Sequence, residues 1–118
     1  MSTYVLGDIH GAAKALDQVL ERAPYEPGTD TLVILGDVAD GWPETRRATE
    51  IIVNDLHHPR VHLMGNHDKW AKDWMEKGLR PRIWLKQGGQ ETIDSYKRAA
   101  SSFGKGIPES HRKYYGTA

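Results

Sequence analysis

The sequence contains no cysteine, which excludes a disulfide framework, a thiolate nucleophile and a cysteine zinc site. It has no net charge, with 16 Lys and Arg against 16 Asp and Glu. That balance argues against nucleic acid or an anionic membrane surface as a partner. No apolar run approaches the length of a membrane span, and none follows a basic start as a signal peptide requires. Hydrophobic residues make up 38% of the chain, a modest supply for one core. The length of 118 residues suits one domain, 1–118. These absences leave a cytoplasmic α/β domain as the expectation.

What is present is an alternation of two periodicities. Residues 3–6 are a short β-prone run ended by Gly7. Residues 12–23 carry Ala12, Ala15, Leu16, Val19, Leu20 and Ala23 at helical spacing, closed by Pro24, Pro27 and Gly28. The continuous apolar run at 31–35 predicts a strand buried on both faces, ended by Gly36. Pro43 fits a first helical position, and Ala48, Ile51, Ile52 and Leu56 give that helix an apolar side. His57-His58-Pro59-Arg60 reads as a turn, and 61–64 as a third strand ended by Gly65. The order β-α-β-α-β predicts a parallel sheet covered by helices. Beyond Asp68 the chain reads as mainly helical: a helix at 69–77, a break at "GLRPR", and a loop or short edge at "IWLKQGG". A helix at 92–100, a loop at 102–106 and a helix at 108–115 follow.

Each strand ends in glycine followed by a polar set: "GDIHG" at 7–11, "GDVADG" at 36–41 and "GNHD" at 65–68. In a parallel sheet all three sets lie on one edge, where open α/β folds bind ligands. Clustered carboxylates repel and are costly to desolvate, and a divalent cation removes that cost. Oxygen and imidazole donors without sulfur suit Mn²⁺, Fe or Zn²⁺. An Asp after Gly at a strand end is also a common cap or Asx turn. Capping does not call for the histidines, and three such sets at successive strand ends favour metal.

Asp8-Ile9-His10, Gly36-Asp37-Val38-Ala39-Asp40 and Gly65-Asn66-His67-Asp68 resemble the D-x-H, G-D-x-x-D and G-N-H-[D/E] motifs of the calcineurin-like metallophosphoesterases. That superfamily holds serine/threonine protein phosphatases, diadenosine-tetraphosphate hydrolases and related bacterial and phage enzymes. "WLKQGGQETIDSY" and "IPESH" extend the likeness to bacterial phosphatase-like members. The resemblance implies hydrolysis of a phosphorylated protein, nucleotide or small ester by a hydroxide activated by two divalent ions. It implies Asp8 and His10 on the first ion, Asp37 bridging both, and Asn66 on the second ion and on a phosphate oxygen. His67 would be the general acid, oriented by Asp40, while Asp68 supports the turn.

Two departures stand out. Gly41-Trp42 replaces the Arg-Gly whose arginine grips phosphate in many relatives; Arg46 or Lys69 is the candidate substitute, against the plainer reading of each as a solvated helix residue. The family's later ligands, a histidine in an apolar strand and a Gly-His-x-His-like set, have no counterpart. The one histidine after Asp68 is His111, which reads as a surface or helix-end residue, and His57, His58 and His62 read as structural or surface residues. The chain therefore resembles the first half of a four-layer sandwich. An apolar face left for the absent strands would favour self-association. The competing function is a non-catalytic remnant that binds metal or phosphate and acts through a partner. A P-loop or dinucleotide-binding domain is excluded, since neither glycine motif is present.

Overall fold

The computed structural model describes residues 2–23, 25–26, 29–55, 60–103 and 107–116, with the backbone alone at 54, 55, 60 and 99–103. The β-branched runs form three strands, β1 (Thr3–Leu6), β2 (Thr31–Ile34) and β3 (Arg60–His62), in a parallel sheet of order β1-β2-β3. Strands two and three are thus shorter than the apolar runs at 31–35 and 61–64. The turn expected at His57-His58-Pro59 lies outside the described residues.

Register decides what the sheet buries. Val5 pairs with Val33, and Val33 with Val61, so these valines form one row on one face. Leu32 and Ile34 point to the other face and are 1% and 0% exposed. There they join Leu16, Ile51, Ile52 and Met75 in the core. Each fully buried side chain of this kind contributes about 1.5–3 kcal/mol.

The expectation that β2 is buried on both faces does not hold. Val5 is 58% exposed, Leu35 48%, Val61 49% and Leu63 50%. The strand order explains it. Both crossovers step in the same direction, and two right-handed crossovers stepping alike put their helices on the same side. The helices therefore cover one face and leave an apolar one open.

Helix α1 (Ala13–Arg22) buries Ala13 and Leu16, while Ala15 and Val19 face outward. Helix α2 (Thr45–Glu50) continues into a π-helical turn at Ile51–Asp55, and Pro43 precedes it rather than opening it. Helix α3 (Asn66–Lys77) begins three residues before the expected start and ends at Gly78, whose φ of 70° is left-handed. "IWLKQGG" is neither loop nor edge strand. It forms the single turn α4 (Arg82–Trp84) and a wide turn at Leu85–Gly89, broken at Gln87 and Gly88. The reason is tertiary: Trp84 is fully buried there, and local pattern does not register that burial. Helix α5 (Gln90–Phe103) runs past both expected limits, and α6 (Glu109–Gly116) closes the described chain. His111 on α6 corrects the surface reading, since it is 0% exposed.

Candidate metal centre at the sheet edge

The loops after β1 and β2 are docked by their backbones. Ile9 and His10 donate to the Asp37 carbonyl at 3.2 and 2.9 Å, and Gly11 donates to Val38 at 2.8 Å. Three non-glycine residues among those described have left-handed φ: His10 at 47°, Asp37 at 53° and Asp40 at 75°. That region is sparsely populated and is tolerated best by Asn, Asp and His. Its concentration at three polar residues of one edge fits strain held at a functional site.

The side chains of Asp8, His10 and Asp37 each bring a donor atom within 4.8 Å of the others. His10 donates from Nδ1 to the Ala39 carbonyl at 3.2 Å, which leaves the Nε2 lone pair facing Asp8 Oδ2 at 3.6 Å. A ligating imidazole needs this arrangement, with one nitrogen anchored and the other free. Two carboxylates and a neutral imidazole fit a divalent ion of the Mn²⁺, Fe or Zn²⁺ kind.

The third strand end completes the edge. The His67 amide donates to Asp37 Oδ1 at 3.1 Å, so the start of α3 sits on the Asp37 carboxylate. The approach needs glycine: a Cβ on Gly65 would lie 2.2 Å from Asp37 Oδ1. Asn66, the first residue of α3, is exposed beside it. The His67 ring lies 5.1 Å from that of His10, edge to face, and its Nδ1 is 2.9 Å from Asp40 Oδ2.

Asp40 and Asp68 are buried carboxyl groups with opposite duties. Burial pushes the Asp40 carboxyl above its usual range, against hydrogen bonds from Thr92, His67 and Trp84 that pull it down. Burial likewise pushes Asp68 up, against the amides of Ala39, Gly65 and Val38. Asp68 Oδ1 accepts from Val38 and Ala39 at 2.9 and 3.1 Å, and Oδ2 from Gly65 at 3.3 Å. It supports the turn, and it holds two loops together rather than one.

Asp8, His10, Asp37, Asp40, Asn66 and His67 are thus gathered where the three strands end. Arg46 lies on α2, and its charge acts on Tyr96 and His111 in the helical layer. Sequence reasoning missed Thr45, Trp84 and Thr92, all fully buried and all tied to Asp40 or its partners.

The donor set at the ends of these parallel strands is joined by a family match: residues 1–115 match the model of the calcineurin-like phosphoesterases. The chain belongs to that family. It is similar to a symmetrical bis(5'-nucleosyl)-tetraphosphatase of Dechloromonas aromatica, 33% identical over 82 residues, or 70% of this chain and 29% of the relative. The protein of the same name from Thioalkalivibrio sulfidiphilus is 35% identical over 68 residues, 58% of this chain and 25% of the relative. That of Photorhabdus laumondii is 37% identical over 68 residues, 58% and 24% of the two chains. The chain spans less than a third of the length of these curated relatives.

Proposed function

We propose that residues 1–118 are part of a metal-dependent phosphoester hydrolase domain. The observation that carries this reading is the meeting of Asp8, His10 and Asp37 donor atoms within 4.8 Å, beside the His67–Asp40 pair. Asp8 and His10 would hold one divalent ion, Asp37 would lie between two, and Asn66 would face the second. Such ions, when bound, set positive charge against phosphoryl oxygens and make water more acidic. Mn²⁺, Fe and Zn²⁺ are the expected ions.

The chain's own residues account for the rest. The Asn66 amide orients a phosphate oxygen. Water oxygen bonds to phosphorus as the water gives up a proton to solvent, the bond to the leaving oxygen breaks, and the protonated ring of His67 supplies that oxygen with the Nε2 proton. Asp40 accepts from Nδ1, which keeps the ring turned and stabilises its charged form. No phosphate contact is assigned to Arg46, whose charge acts on Tyr96 and His111. A dinucleoside polyphosphate is the substrate we favour over phosphoproteins and small esters, a choice supported by the relatives' names. Cytoplasmic location belongs to the same reading.

The open apolar sheet face favours a second reading, a metal- or phosphate-binding remnant that works through self-association or a partner. Bound Mn, Fe and Zn per chain should be measured, followed by turnover of an aryl phosphate and a symmetrical dinucleoside tetraphosphate with Mn²⁺. Metal-dependent turnover lost in Asp37→Asn and His67→Asn is the expected result. A folded, metal-loaded chain without turnover would leave the second reading.

A further inference from the structure

Asp40 is held by more groups than the orientation of one histidine requires. Its Oδ2 accepts from His67 Nδ1 at 2.9 Å and from Trp84 Nε1 at 2.5 Å. Its Oδ1 accepts from Thr92 Oγ1 at 2.6 Å. Its backbone amide donates to Thr92 Oγ1 at 3.0 Å and to Thr45 Oγ1 at 3.1 Å, and those two hydroxyls are 2.9 Å apart. Trp84, Thr92 and Thr45 are all 0% exposed, so water does not substitute for any of them.

The donor inventory gives these contacts a direction. An indole N–H can only donate, so Oδ2 accepts from Trp84. With the Thr92 proton given to Oδ1, Thr92 accepts from Thr45, and donation runs from Thr45 through Thr92 to Asp40. Burial favours the neutral acid at Asp40, and donors on both oxygens act against it and favour the carboxylate. A carboxylate has no proton to offer, so the hydrogen shared with His67 sits on Nδ1, and Nε2 is left for the sheet edge. Two glycines bring the donors in. A Cβ on Gly88 would lie 2.3 Å from the Gly41 nitrogen, and one on Gly89 would lie 2.4 Å from the Trp84 ring.

We propose that Trp84 and Thr92 are positioning residues for His67, holding Asp40 as an acceptor so that Nδ1 keeps its hydrogen and Nε2 is the nitrogen that takes up and passes on the proton given to substrate. Its catalytic meaning rests on the role given to His67 above. The alternative is that both residues only fill the core.

Imidazole nitrogen NMR on the metal-free chain, at a pH where His67 is neutral, separates the two. The unmodified chain is expected to show pyrrole-type Nδ1 and pyridine-type Nε2 in His67. Thr92→Val and Trp84→Phe are each expected to average or exchange those two shifts, and Thr92→Ser to restore them. The Trp84 indole proton is also expected downfield of those of the other three tryptophans. Unchanged His67 nitrogens in the folded variants overturn the inference. An ordinary Trp84 position overturns it without any variant, which covers the case of variants that do not fold. Neither readout needs turnover. Absence of hydrolysis with these signatures present removes the proposed function alone, and their absence in an active chain removes the clamp alone.

Discussion

Asp68 joins the loop after β2 to the start of α3 through three backbone amides. Removing its carboxylate leaves buried donors without acceptors, and each such loss costs about 1–3 kcal/mol. Asp68→Ala is therefore expected to lower the unfolding free energy from urea titration by at least that much, and Asp68→Asn, which keeps one carbonyl acceptor, by less. Gly65→Ala is expected to abolish Mn²⁺ binding in calorimetry, because its Cβ would lie 2.2 Å from Asp37 Oδ1. Asp37→Asn should leave the backbone alone, since Asn accepts the left-handed φ of 53° that Asp37 adopts. The carboxylates and histidines of the edge were legible in the sequence because glycine-bounded strand ends announce themselves locally. Trp84 and Thr92 were not: they lie 44 and 52 residues from Asp40, and no periodicity spans that distance.

The helical layer shows the same limit one level up. The strand at 3–6 and the helix at 12–23 were readable to within a residue or so, because each carries its own pattern. Helix α4 was not, since two glycines and a short apolar run look like a loop until Trp84 finds its pocket. His111 on α6 was misread for a related reason, its partners being on α2 and α5. Neutral His111 donates from Nε2 to Glu50 at 2.5 Å and accepts from the Tyr96 hydroxyl at 2.7 Å. Burial lowers its pKa below the ordinary 6.5, with the Glu50 hydrogen bond opposing. The unfolded chain then takes up the proton first. The stability this histidine contributes is complete above its ordinary pKa and is lost as pH falls below it, through the depressed folded value. Urea midpoints at pH about 7.5 and about 5.5 should fall accordingly, and the fall should be smaller in His111→Gln. Tyr96→Phe should cost about 1–3 kcal/mol at either pH by leaving Nδ1 without a donor.

For the molecule as a whole, the alternation of strands and helices was enough to give the parallel sheet. It did not give the one-sided cover, which depends on strand order rather than on any segment's own composition. The row of Val5, Val33 and Val61, with Leu35 and Leu63 beside it, is expected to drive concentration-dependent association in sedimentation velocity. Val61→Glu combined with Leu63→Glu should shift the chain toward monomer, since both side chains are about half exposed, at 49% and 50%. The reach of Asp40 has a consequence for how the fold comes apart. A carboxylate at the end of β2 that is bound to α4 and α5 makes the front and back of the chain one cooperative opening unit. The Asp40 amide, capped by Thr45 and Thr92 hydroxyls, should exchange its hydrogen only when α5 lifts away, so that one proton reports on the release of a helix fifty residues downstream.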